Sequence, residues 1–174
     1  MGVIMKKIEM IKGAKKLVDE CTKVKKGENV LIVTDTVMPL SIAETLVIAS
    51  KERGAEAIII IMSPPIEGND PPPPVAEAMQ KAQVIFMACS RDILHTPSRI
   101  RATKAGARCF TIAEFTEEDM FRGAIEVNCL ETKEFVERVG DALGFIIFLL
   151  LQLIIMLRTR SFWARITPGL HPNK

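Results

Sequence analysis

Val30-Leu31-Ile32-Val33-Thr34 runs into Asp35-Thr36, then into the stretch Pro39 to Arg53, which Gly54 closes. This segment decides the fold. The five-residue run is rich in β-branched residues and lacks polar alternation, which suits a strand covered on both faces. Pro39 fits the first turn of a helix, where its missing N–H costs no hydrogen bond. Gly54 fits the position just past a helix end, where a left-handed backbone is needed.

The same unit recurs downstream. Ala57 to Met62 reads as a second covered strand. Ser63 to Pro74 is a loop with six prolines, in which Pro71 to Pro74 should be extended polyproline II. Beyond it come a helix over Val75 to Ala82, a strand over Val84 to Cys89 and a helix from Pro97 to Ala105, stopped by Gly106. Arg108 to Ile112 is a fourth strand. Thr116-Glu117-Glu118-Asp119 has the pattern of a capped helix start, and a last helix is expected from about Glu131 towards Leu143. Upstream, residues 3–24 form an amphipathic helix. Its expected apolar face is Ile4, Ile8, Ile11, Leu17, Cys21 and Val24, with Gly13 weakening its middle. Four strand–helix alternations predict an α/β fold over residues 1–141. The expected architecture is a Rossmann-like parallel sheet with right-handed crossovers and helices on both faces, its strand order open.

Charge marks a boundary. All 21 acidic residues lie at or before Asp141, so residues 1–141 carry 19 − 21 = −2. Residues 142–174 carry Arg158, Arg160, Arg165 and Lys174 and no acid, a balance of +4. The total of +2 gives no reason to expect a nucleic-acid partner. Cys21, Cys89, Cys109 and Cys129 are widely spaced and read as buried free thiols of a reducing compartment. Lys6, Lys7 and Glu9 interrupt any apolar signal-peptide core. The expected location is cytoplasmic.

The tail, 142–174, begins with sixteen uncharged residues, Ala142 to Leu157, expected to form a hydrophobic helix. At about 1.5 Å per residue that helix spans about 24 Å, short of a bilayer core of about 30 Å. Phe162 and Trp163 suit interfacial anchoring. The arginines after the run, held on the cytoplasmic side, would require the preceding domain to be translocated. Three readings stand: a frameshifted or truncated gene end, a membrane anchor through 142–157, and a buried interface helix. The abrupt loss of acids favours the first.

In an open parallel sheet, ligands bind beyond the carboxyl ends of the strands. Here those ends are Asp35-Thr36, Ser63-Pro64, Ser90-Arg91-Asp92 and Ala113-Glu114. Asp35, Ser90, Asp92 and His95 are the cleft candidates, with Asp92 placed to orient His95 as a base. The competing reading makes His95 a residue of the strand–helix turn. No glycine-rich phosphate loop follows any strand, which argues against a dinucleotide. No serine lies in a nucleophile elbow. Acidic pairs such as Glu117 with Glu118 fit solvated helix faces, so no metal ligand and no catalytic residue is assigned. Arg99, Arg101, Lys104 and Arg108 form a basic group that suits either an anion or a solvent-facing helix edge.

From Ala14 to about Val139 the sequence resembles the N-terminal region of the aminopeptidase T family, metal-dependent leucyl aminopeptidases. The stretches that carry this are Lys26-Gly27-Glu28-Asn29-Val30-Leu31-Ile32-Val33-Thr34-Asp35 and Pro71-Pro72-Pro73-Pro74-Val75-Ala76-Glu77-Ala78-Met79. His95-Thr96, Arg99, Gly106-Ala107-Arg108 and Thr116-Glu117-Glu118-Asp119-Met120 add to it. The resemblance implies an N-terminal α/β domain and a peptide substrate. It also implies a dinuclear divalent-metal site built from Glu, His and Asp in a C-terminal half, with no ligand carried onto this chain. Dihydroxypyridine ring-opening dioxygenases, with mononuclear iron, share that fold and layout. After about Val139 the pattern is lost, and the expectation is a truncated member that binds no cofactor and is inactive by itself. A binding or partner domain is the alternative.

A helix apolar all round must be buried on every side, so the tail should drive self-association. Deleting 142–174 is expected to turn a membrane-bound or aggregated protein into a soluble one, read by sedimentation in detergent-free buffer. A monomeric full-length chain, or unfolding of 1–141 on deletion, would refute this.

Overall fold

The computed structural model describes residues 2–66, 68–126, 137–144 and 146. The chain divides into two compact units, 1–127 and 128–174. In the second, residues 137–144 are helical. Cys129, most of the expected last helix and the tail from 147 onward lie outside the described residues. Among the described residues no helix is long and apolar enough to cross a membrane.

The first unit is α/β. It runs α1 (Gly2–Lys16), a π turn (Leu17–Cys21), β1 (Asn29–Asp35), α2 (Leu40–Glu52), β2 (Glu56–Met62), α3 (Pro73–Met79), β3 (Val84–Ala88), α4 (Pro97–Lys104) and β4 (Arg108–Thr111). Two 3₁₀ turns come after β4, Glu118–Met120 and Gly123–Glu126. The four strands pair in parallel in the order β2-β1-β3-β4. β1 and β3, the two inner strands, alternate their side chains between two cores. Val30, Ile32, Val84 and Phe86 pack with Ile42 and Leu46 of α2 and Met10 and Ala14 of α1. Leu31, Val33, Ile85 and Met87 pack with Val75 and Met79 of α3 and Ala102 of α4. The apolar runs of β1 and β3 lack alternation because both faces are covered. Helices therefore lie on both faces, as the alternation predicts.

Three expectations need correction. β2 is an edge strand, not a fully covered one: Ile58 and Ile61 are 54% and 52% exposed. Pro73 and Pro74 are not extended but open α3, because first-turn residues need no N–H partner. Pro72, the residue before the helix, keeps the extended conformation, with ψ 146°. Thr116 and Asp119 do exchange capping hydrogen bonds, but the helix they start is a single 3₁₀ turn.

The face of α1 also differs. Met10, Ala14, Leu17 and Val18 are buried, whereas Ile8 and Cys21 are exposed. The π turn accounts for the late part: Thr22 N–H donates to the Leu17 carbonyl, five residues back, at 2.9 Å. One extra residue in a turn rotates the residues after it away from the ideal helical face. Gly13 accounts for the early part. A Cβ there would lie 1.8 Å from the Met120 carbonyl oxygen and 3.1 Å from Ile125 Cγ1. The helix thus lies on its small residues against the 3₁₀ turn, and Gly13 is a contact point.

Gly13→Ala separates these two views by sign. Helix propensity alone predicts stabilisation of about 1 kcal/mol. The contact with Met120 predicts a loss of about 1–3 kcal/mol from overpacking. Urea unfolding decides, and a raised midpoint would remove Gly13 from the packing argument.

Candidate functional site

The sheet order creates a crevice. α2, after β1, packs on one face, while α4, after β3, packs on the other. β1 and β3 are neighbours, so their outgoing loops part in opposite directions. Such a switch point is where open parallel sheets hold ligands.

Asp35 bridges it. The residue is 2% exposed. Its Oδ1 accepts from the N–H groups of Val37 (2.8 Å) and Met38 (3.0 Å), and its Oδ2 accepts from Ser90 N–H (2.6 Å) and the Ser90 hydroxyl (2.8 Å). One carboxylate thereby joins the β1–α2 loop to the β3–α4 loop. Burial pulls its pKa upward, but hydrogen bonds from Ser90 N–H, Val37 N–H, the Ser90 hydroxyl and Met38 N–H outweigh that, and the net direction is down.

Above this bridge lies a cleft of about 590 Å³. Each of the four strands sends a loop to it: Val37 and Met38 after β1, Pro64 and Pro65 after β2, Ser90 and Arg91 after β3, Glu114 after β4. Glu114 has φ 62°, a left-handed backbone unusual for any residue but glycine; such a conformation costs about 1–2 kcal/mol. Its N–H donates to the Cys89 carbonyl at 3.0 Å, which holds the turn in place. A second, apolar hollow of about 330 Å³ lies by Asn29, at the amino end of β1, and by Ile58 and Ala82. It lies away from the switch point.

The four candidates separate. Asp35 and Ser90 are bonded to each other. Asp92 accepts from Leu94 N–H and the Thr111 hydroxyl, both at 3.0 Å, tying the β3–α4 turn to β4. Neither bond involves His95, which is exposed in the turn before α4. Thr96 caps that helix, accepting from Arg99 N–H. Arg91 and Glu114 were not chosen from sequence, although both sit at strand ends marked there. Their exposed charges in the cleft are a property of the assembled loops.

Two other groups are accounted for. Cys89, next to Ser90, is fully buried, and burial, then the charges of Asp35 and Asp92, push its thiol up to about 12. It is no nucleophile near neutral pH. Of the basic group, Arg101 pairs with Asp70 at 3.4 Å, Arg108 pairs with Glu28 at 2.5 Å, and Arg99 donates to the Leu94 carbonyl. Among the described residues no three His, Cys, Asp or Glu side chains converge as a metal ion requires.

No protein-family profile matches the chain, and no curated protein matches it. Solved structures do. The 2,5-dihydroxypyridine dioxygenase of Pseudomonas putida KT2440 superposes with a TM-score of 0.50 at 14% identity, over 62% of this chain and 35% of that one. The methionine aminotransferase YbdL of Escherichia coli matches with a TM-score of 0.30 at 16% identity, over 62% and 27%. At such identity the dioxygenase likeness is one of fold. This chain spans about a third of the dioxygenase's length.

Asp35→Asn should cost about 1–3 kcal/mol, because an amide NH₂ faces donors that lose their acceptor. The sign follows from the lowered pKa: Asp35 contributes its full stability above the usual carboxylate range, and this is lost as pH falls through its lower folded value. The gap between wild type and variant in denaturant unfolding should therefore shrink below about pH 4. A gap that stays constant from pH 7 to 3 would remove the charge from the argument.

Proposed function

We propose that this chain supplies the α/β, substrate-holding part of a two-part metal-dependent enzyme of aminopeptidase T type, which removes N-terminal residues from peptides. One observation carries the reading. A cleft fed by all four strand ends stands without any converging set of metal-ligating side chains among the described residues. The sequence stretches from Lys26 to Asp35 and from Pro71 to Met79 support the choice of family.

The described residues do not fit the dinuclear metal centre that the resemblance implies. Of the carboxylates around the crevice, Asp35 accepts from four donors and Asp92 from two, and Glu114 alone is unpaired, too few for two metal ions among the described residues. Residues 142–174 contain His171 and no acid. On this reading the hydrolytic groups come from outside the described residues, whose own contribution is to bind and orient.

A ring-opening dioxygenase is the second reading, favoured by the fold likeness to the Pseudomonas putida enzyme. Both readings place the reacting metal elsewhere.

The purified chain should not hydrolyse leucine anilides, with or without divalent metal. Genomic DNA read in all frames beyond codon 143 should encode a Glu- and His-rich segment. Metal-dependent hydrolysis by the chain, or no such segment in any frame, overturns the reading.

A further inference from the structure

Many charges on this domain are held in ion pairs. Eight ion pairs form among the described residues, from Lys6 with Glu117 across the fold to Arg122 with Glu118 within one turn. Arg91 and Glu114 are the two charged residues that line the cleft, and they lie outside these pairs. Both are exposed and line the same cleft, yet neither is paired with the other or with another side chain among the described residues. Opposite charges held apart on one cavity are complementary to a ligand that carries both signs.

Glu114 supports this independently. Its left-handed backbone suits Gly or Asn, which tolerate positive φ. Strain retained at a cleft points to a role for the side chain. The remaining wall is apolar: Val37 and Met38 on the β1 side, Pro64 and Pro65 on the β2 side. Ser90 donates its hydroxyl proton to Asp35, so its oxygen is left to act as an acceptor.

We propose that the cleft binds a small zwitterion with an apolar body, of about dipeptide size, with its carboxylate on Arg91 and its ammonium on Glu114. The apolar body lies against Val37 and the Pro64-Pro65 wall. This inference rests on the reading of the cleft as the substrate-holding site. It disfavours phosphorylated ligands, which Glu114 repels and which no glycine-rich loop would cradle. It also disfavours a neutral aromatic, which leaves both charges unused.

The test is calorimetric titration of the full chain, in mild detergent, with Leu-Leu, N-acetyl-Leu-Leu and Leu-Leu amide. Leu-Leu should bind, and blocking either terminus should weaken binding about tenfold or more, the scale for losing a charged hydrogen bond. Arg91→Gln should bind Leu-Leu and its amide equally, because the group that senses the carboxylate is gone. Glu114→Asn should bind the free and acetylated dipeptides equally while its melting temperature stays the same or rises. That last pair of readouts separates a binding role from a structural one. Blocked dipeptides that bind as tightly as the free one overturn the zwitterion and leave the cleft a binding site. Failure of all three to bind overturns both.

Discussion

The Asp35 carboxylate is the interaction on which the ligand-facing end of this domain depends. A sheet wound in both directions has a weak place built into it. The hydrogen-bond ladder between β1 and β3 ends with Thr34 and Ala88, and beyond that the chain leaves for opposite faces. The loops share no backbone bonds there, and an open crevice would leave several N–H groups buried without partners. One carboxylate accepting four hydrogen bonds solves both problems. Charge-assisted bonds of this kind are roughly twice as strong as neutral ones, and a carboxylate so surrounded stays ionised despite burial. The consequence reaches the cleft: Ser90, Val37 and Met38 are all held through Asp35, and all three line it.

The sheet was legible in the sequence because its inner strands obey a rule that leaves a mark. Full cover on both faces demands unbroken apolar runs, and Val30–Thr34 and Val84–Cys89 show them. β2 shows why that mark is incomplete. Its four isoleucines, Ile58 to Ile61, look like an interior strand, yet the strand sits at the edge. Apolar content reports what a strand can bury, not which neighbour it has, so strand order stayed open. The α1 face was misread for a different reason. Counting apolar residues at helical spacing favours large side chains, but here Gly13 and Ala14 set the contact. A close approach is signalled by what is missing from a side chain, and periodicity cannot register it.

The place of the cleft was legible in the sequence, and the part each residue plays around it was not. The rule that parallel sheets bind ligands beyond their carboxyl ends picked out Asp35, Ser90-Arg91 and Glu114 before any fold was known. Which of these support the structure and which stand exposed in the cleft depends on hydrogen bonds between residues 55 and 19 positions apart, Asp35 with Ser90 and Asp92 with Thr111. Those pairings depend on the strand order, the very feature the sequence left open. Asp92 seemed a partner for His95 because the two are three residues apart. In the fold, β4 lies beside β3 and brings Thr111 to Asp92 instead.

This division explains how one end of a small domain can be both rigid and receptive. Buried carboxylates and hydroxyls fix the loops, and a fixed loop can carry an exposed charge at a defined place without using that charge for its own stability. Asp35 and Asp92 occupy the first role, Arg91 and Glu114 the second. The same separation bears on catalysis. Cys89, beside the cleft, is protonated and buried, and Asp35 engages both its oxygens with four donors. A carboxylate that already accepts four hydrogen bonds, as Asp35 does, has little left to offer a metal or a substrate proton. Exposed on the cleft are a cation, an anion and an apolar wall, with neither charge used to hold the loops together.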